Sequence, residues 1–252
     1  RSHSFGFFFL YFYRTTMIFF RKKSKKLLQI YNLKSYLQNM PFYKDYSDEN
    51  ATILYWKYSE EDHFDAEELI EPENLEKTKD YHPKKLIEHL MVRKLLKMVL
   101  PDRKILYKTA GEPYLWPPAA QISITHSFPF AALAISKNRI GIDLEKVNDK
   151  ILRIKKKFLH PNEIAWTEGK QNEVELITII WVIKESLYKV HLSKYWSLKD
   201  YYEVYPFDID HLGEVKCRVF DDFFNHNFTA KVSKVEDFYF AIVEETRDFD
   251  EV

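Results

Sequence analysis

Residues 179–190 read IIWVIKESLYKV. Wound as a helix, this stretch puts apolar side chains at nearly every position, so neither face suits water and the fold has to cover both. Yet Lys184, Glu185 and Lys189 lie inside it. Charged side chains are buried only when they are paired or bound to something. A chain with this helix must supply a layer on each side of it and partners for three charges.

The 252 residues allow one large domain or two small ones. A second long helix begins at Pro83, in HPKKLIEHLMVRKLLKMVLP: Leu86, Ile87, Leu90, Met91, Leu95 and Met98 recur at helical spacing, Pro83 suits the first turn and Pro101 ends it. Strands are expected at 52–58, 104–108, 121–125, 130–136 and 140–144, then helices over 150–169 and 173–192, then strands at 203–207, 214–220, 227–234 and 238–244. Each long helix is followed by several strands, and FAALAIS at 130–136 is echoed by YFAIVEE at 239–245. The expected fold is α+β (α/β). It has two similar, pseudo-twofold-related halves, 40–140 and 141–247, each a small mostly antiparallel sheet packed on a long helix, with a site at their interface.

Charge narrows the function classes. Thirty-eight Lys and Arg balance 38 Asp and Glu, whereas a dedicated nucleic-acid binder carries a basic excess. The single cysteine, Cys217, cannot form an internal disulfide, which fits a reducing, cytoplasmic setting. The opening RSHSFGFFFLYFYRTTMIFFRKKSKK has a nine-residue apolar run, Phe5–Tyr13, broken by Arg14. A membrane span needs about 20 apolar residues, and no secretory cleavage site follows. Residues 1–39 therefore read as a leader, disordered or upstream of a start at Met40. A membrane-surface tether built on the aromatics and the basic run 21–26, or an extra helix at 24–38, are the alternatives. No membrane span is expected.

Two segments carry chemistry. In IGIDLEK, 140–146, a strand projects Asp143 and Glu145 to one face while Ile142 and Leu144 face the core. Paired carboxylates are tolerable on a solvated strand end or around a cation. Glu185 and Lys189 share one helical face, a spacing that also makes a simple stabilising pair. Trp181, one turn earlier, could wall a site, and Lys184 projects about 100° away as a separate contact. Asp143, Glu145, Glu185 and Lys189 together resemble a Mg²⁺ site for a phosphorylated ligand, with hard oxygen donors completed by phosphate and water. Thr125, His126 and Ser127 follow a strand, where they could grip a phosphate or serve structure alone. No Gly-rich phosphate loop, zinc spacing or G-x-S-x-G elbow occurs.

In order along the chain, these pieces resemble the 4′-phosphopantetheinyl transferase superfamily. GIDLE at 141–145, a 42-residue step from Asp143 to Glu185 and WVIKESLYK at 181–189 are similar to its signature, (V/I)G(V/I)D-x-E followed by W-(S/T)-x-K-E-(S/A)-x-x-K. HLMVRKLL at 89–96 resembles the family's first-half helix, KTAGEPYL at 108–115 its G-K-P loop, ISITHS at 122–127 its S-H-S strand, and FLHPNEIAW at 158–166 its F-(S/T)-x-x-E segment. The likeness runs from about Thr52 to Glu245, and the length resembles the surfactin-synthetase-activating (Sfp-type) branch, a monomer of two halves.

The resemblance implies transfer of the 4′-phosphopantetheine arm of coenzyme A to a serine hydroxyl of an acyl or peptidyl carrier protein, with 3′,5′-ADP leaving. It implies Mg²⁺ held by Asp143, Glu145 and Glu185 on the coenzyme A pyrophosphate, with Lys189 contacting that pyrophosphate. Thr125 and His126 would meet coenzyme A phosphates, Gly111 and Pro113 the adenine end, and Lys108 the 3′-phosphate. Catalysis would fall to Glu185, Lys189 and Asp143, with Glu185 activating the serine. Three departures stand out: Glu112 replaces the loop lysine, Val182 replaces Ser or Thr, and no Gly-rich turn follows the helix, where 190–200 reads VHLSKYWSLKD. The first and third leave a non-catalytic coenzyme A- or carrier-binding relative as the alternative. The basic stretch RIKKKFLHPNEIAW, 153–166, is either a carrier-docking surface or a solvated face.

Overall fold

A computed structural model describes residues 44–191 and 197–245, apart from the side chains of Glu73 and Lys77. The leader expectations lie outside the described residues.

In chain order these elements are β1 (Lys44–Asp45), β2 (Ala51–Lys57), α1 (Ala66–Leu69), α2 (Pro72–Thr78), α3 (Pro83–Val99), β3 (Lys104–Tyr107), β4 (Pro113–Trp116), β5 (Gln121–Ser127), β6 (Phe130–Ser136), β7 (Ile140–Lys146), α4 (Ile151–Phe158), α5 (Pro161–Thr167), α6 (Glu173–His191), β8 (Tyr202–Val204), β9 (Val215–Phe220), β10 (Asn225–Val235) and β11 (Phe238–Glu244). A four-stranded sheet has the order β1-β2-β6-β5, a five-stranded sheet β7-β11-β10-β9-β8, and β3-β4 form a separate hairpin. All the pairings are antiparallel. The chain is thus mixed α/β with antiparallel sheets, and the echoed segments 130–136 and 239–245 fall on β6 and β11, an interior strand of each sheet.

Each long helix covers one sheet. α3 lies on β2 and β6 and buries Leu90, Met91, Leu95 and Met98. α6 lies on β7 and β11, and its other side is covered by α4, α5 and β8. That double cover explains the apolar run: Leu176, Ile177, Ile179, Ile180, Val182, Ile183, Leu187 and Val190 are all buried, although they point in every direction around the helix axis. A second core lies between the sheets, where Tyr55 and Phe130 meet Ile140, Ile142, Leu144, Phe238 and Phe240.

The sheets are joined along β5 and β7 by side chains. The backbone N–H of Ile142 donates to Ser123 Oγ at 3.0 Å, and that of Leu144 to Thr125 Oγ1 at 3.1 Å. Buried backbone donors need partners, and here two hydroxyls spaced i,i+2 on β5 supply them. Where α6 crosses β7 the approach is closest at Gly141, whose position leaves no room for a Cβ, because it would be driven into the carbonyl oxygen of Ser186. Ser186 in turn donates to Val182 O at 2.8 Å and Ala241 O at 3.3 Å. Glycine at 141 thus sets how tightly the helix lies on the sheet.

The structure differs from the sequence expectation in two places. The helix expected over 150–169 is two helices, because Pro161 lacks an N–H and starts a new one. His160 caps it: its Nδ1 accepts from Asn162 N, and Glu163 reaches back to the His160 N–H at 2.7 Å. Strand β4, 113–116, stands where only a loop is expected. It pairs with β3 and brings Gly111 and Pro113 to a hairpin tip.

Candidate active site

α6 carries two lysines with opposite surroundings. Lys184 is fully buried. Its Nζ sits 2.7 Å from Glu163 Oε2 and also donates to Phe158 O at 2.8 Å and Leu198 O at 2.9 Å. Glu163 further accepts from the backbone N–H groups of His160 and Val204. Burial pushes the Lys184 ammonium down to about 8 and the Glu163 carboxyl up, while the contact between them opposes both shifts. Lys184 thus ties together α4, α5, α6 and the segment entering β8. Trp181, one turn before Glu185, packs edge-on against Phe158 at 4.7 Å in this core and does not line the cleft.

Glu185 and Lys189 open instead onto a cleft of about 430 Å³. Its walls include Tyr107, Ala110, Gly111, Glu112 and Pro113 of the hairpin tip, β5 at Ser123 and His126, Arg139 just before β7, Ile140, and Tyr188 of α6. Lys189 Nζ reaches across to β7, 2.8 Å from Asp143 Oδ1 and 2.8 Å from Ile142 O, with Ile124 O at 3.3 Å. Asp143 Oδ1 also accepts from Thr125 Oγ1 at 3.1 Å.

Three carboxylates crowd here. Burial pushes Glu185 up to about 7, with Asp143 and Glu145 adding to the rise and Lys189 opposing it. Burial and the nearby Asp143 likewise raise Glu145. Like charges held together with one ammonium leave excess negative charge, the condition a hard cation relieves. Among the described residues, no group of three His, Cys, Asp or Glu side chains stands in a metal-binding arrangement. The donor chemistry still fits Mg²⁺, which is commonly bound through one or two carboxylates and completed by ligand phosphates and water.

The remaining expected residues fall around this centre. Thr125 is buried with its hydroxyl engaged in the β5–β7 seam. His126 lines the cleft, and its Nδ1 lies 3.0 Å from Glu88 Oε2 of α3. Gly111, at φ +87°, makes the left-handed turn of the β3–β4 tip, and Pro113 follows it in the cleft wall. Lys108 closes the same tip, its Nζ 2.9 Å from Glu112 Oε2. Asp208, in a D-x-D resembling the 143–145 pair, accepts from Asp210 N and lies 3.0 Å from His211 Nδ1 in an exposed turn.

Sequence reasoning missed Ser123, Arg139 and Tyr188. Two had signals. Arg139 continues backward the alternation Glu145, Asp143, Gly141, and Tyr188 stands three residues after Glu185, one helical turn along the same face. Ser123 had only its i,i+2 relation to Thr125.

A sequence model of the 4′-phosphopantetheinyl transferase superfamily matches residues 139–243, the span from the start of β7 almost to the end of β11. The 4′-phosphopantetheinyl transferase gsp of Aneurinibacillus migulanus is 32% identical over 128 residues, which cover 46% of this chain and 54% of that protein. The chain thus spans about half the length of this curated relative. Among the described residues no helix is long and apolar enough to cross a membrane. All four signature side chains, Asp143, Glu145, Glu185 and Lys189, fall within the matched span, and it is this segment, 139–243, that matches the 4′-phosphopantetheinyl transferase superfamily.

Proposed function

We propose that the chain transfers the 4′-phosphopantetheine arm of coenzyme A to a serine hydroxyl of an acyl or peptidyl carrier protein. The observation that carries this reading is that Glu185 and Lys189 of α6 line the cleft while Asp143 of β7 pairs with Lys189 behind it and Asp143 and Glu145 act on the Glu185 carboxyl, all inside the segment that matches the superfamily. In the reaction the serine oxygen bonds to the β-phosphorus of coenzyme A. The bond from that phosphorus to the bridging pyrophosphate oxygen breaks, and 3′,5′-ADP leaves with the electron pair. The serine proton passes to Glu185, directly or through water. A carboxyl raised to about 7 is poised to exchange a proton near neutral pH.

Asp143, Glu145 and Glu185 would hold Mg²⁺, which supplies charge neutralisation on the pyrophosphate. Lys189, tethered by two backbone carbonyls, keeps an ammonium beside the same oxygens. His126 would meet a phosphate from the β5 wall and Thr125 would hold Asp143 in place, while Gly111 and Pro113 border the adenine end. Positioning and charge compensation carry most of such a transfer. We read the chain as a cytoplasmic monomer of the two-halved, surfactin-synthetase-activating type, with light scattering as the check on its oligomeric state.

The test is incubation with coenzyme A, Mg²⁺ and a panel of apo carrier proteins, read by intact mass. Gain of one phosphopantetheine on a carrier serine is the expected result. A folded protein that binds coenzyme A yet modifies no carrier overturns the transferase reading. It would favour the non-catalytic binding relative, for which the Lys108–Glu112 pair in the G-x-P loop is the motivating feature.

A further inference from the structure

Cations are scarce in this cleft. Those lining it are His126, Arg139 and Lys189. Lys189 commits its three N–H groups to Asp143, Ile142 O and Ile124 O. His126 faces Glu88 at 3.0 Å. At the hairpin tip Glu112 holds Lys108 through both carboxylate oxygens, at 3.0 and 2.9 Å, so this loop offers the cleft no net positive charge. Arg139 differs. Its side chain is about half exposed, and the carboxylate it approaches is Glu245 at 3.9 Å, too long for a hydrogen bond. Among the described residues its guanidinium donates no hydrogen bond. Five N–H donors in a planar fork suit a phosphate better than any other side chain does.

Its location separates it from the carboxylate centre. Arg139 precedes Asp143 by four residues along β7, roughly 13 Å of extended chain at 3.3 Å per residue. Gly141, between them on the same face, carries no side chain, and Ser186 of α6 lies against it. A group held by Asp143, Glu185 and Lys189 is therefore a different one from a group held by Arg139. On the proposed reading of the site, the first is the pyrophosphate. We propose that Arg139 is the specificity-determining residue for the second phosphate of the donor, the 3′-phosphate monoester of coenzyme A, taking the role that Glu112 removes from the G-x-P loop.

The test is titration calorimetry of the full chain in Mg²⁺ buffer with coenzyme A and with dephospho-coenzyme A, which lacks only the 3′-phosphate. The original protein is expected to prefer coenzyme A by about tenfold or more. Arg139→Ala is expected to lose that preference, with dephospho-coenzyme A affinity unchanged within about twofold, and Arg139→Lys to recover part of it. Lys137→Ala, which removes an equal charge outside the cleft, is expected to keep it. In turnover the loss falls on the KM for coenzyme A and not on kcat. Equal weakening toward both donors, retained preference in Arg139→Ala, or no coenzyme A binding by the original protein each overturns the assignment. If the original protein binds both donors with the expected preference but modifies no carrier, the transferase reading fails while the Arg139 assignment stands.

Discussion

Two lysines five residues apart on α6 are held alike and do different work. Lys184 gives its protons to Glu163, Phe158 O and Leu198 O, and Lys189 gives its protons to Asp143, Ile142 O and Ile124 O. Each is one carboxylate and two carbonyls. The difference lies in the carboxylates. Glu163 faces one ammonium and two backbone N–H groups, so that cluster is neutral and closed. Asp143 has Glu145 and Glu185 beside it, three acids against one lysine, and the excess is exposed to a cleft. A satisfied buried pair needs no further ligand; an unbalanced one needs a further cation, and that need is what makes it a site.

The sharpest way to break this contrast is to remove one partner of the closed pair. Lys184→Ala strands the buried Glu163, and urea denaturation is expected to lose about 3–5 kcal/mol. Replacing both partners by apolar residues often restores stability for a buried pair. Here the double change Lys184→Met with Glu163→Leu is expected to stay at least about 2 kcal/mol below the original, because it orphans His160 N, Val204 N, Phe158 O and Leu198 O. Full recovery would reduce the knot to an ordinary ion pair.

The open cluster answers oppositely. Asp143→Asn and Glu185→Gln are each expected to slow transfer about 10²- to 10³-fold while the melting temperature does not fall. A melting temperature that drops with activity would make the acids structural, like Glu163.

Gly141→Ala probes the register between the two regions, since the added methyl meets Ser186 O, next to Glu185. Overpacking there is expected to cost about 1–3 kcal/mol and to lower turnover by shifting α6 off β7. Gly213→Ala, where a Cβ meets nothing within 4 Å, is the comparison. A stable, fully active Gly141→Ala would show that the helix has slack to spare.

What the sequence discloses follows the same division. Asp143 with Glu145 and Glu185 with Lys189 are legible because each pair is local, two residues apart on a strand or four on a helix. The helix at 83–99 is legible because prolines bracket it. The pairing of Lys184 is not, since its partner lies 21 residues away on another helix, and the turn before Pro161 that positions Glu163 falls inside what periodicity renders as one helix. Thr125 looks from sequence like a ligand contact, because alternation alone cannot reveal that β7 runs alongside and uses its hydroxyl. Side chains whose partners are set by tertiary contact escape a reading built on spacing.

The smallest expected effect is a pH slope, and it separates the two regions without changing either lysine. In the folded chain Glu185 is raised from the ordinary 4.5 to about 7. The folded state therefore holds this proton more tightly than the unfolded one. The stability so gained is complete below pH 4.5 and is lost as pH rises through 7. A tenfold difference in proton affinity is worth about 1.4 kcal/mol, and discounting for the partial exposure of the cleft leaves on the order of 1–2 kcal/mol. With chelator present, Glu185→Gln is expected to remove that much of the stability lost between pH 5 and 8. The raised Glu163 is common to both proteins and cancels in the difference. Lys184, lowered from 10.5 to about 8, acts in another window: the unfolded chain binds the extra proton there, so its contribution rises with pH above 8. Mg²⁺ with coenzyme A is expected to flatten the lower slope and leave the upper one unchanged. Equal slopes in the original and Glu185→Gln proteins between pH 5 and 8 would mean that neither burial nor the neighbouring carboxylates raise Glu185, and the distinction between knot and site would fall.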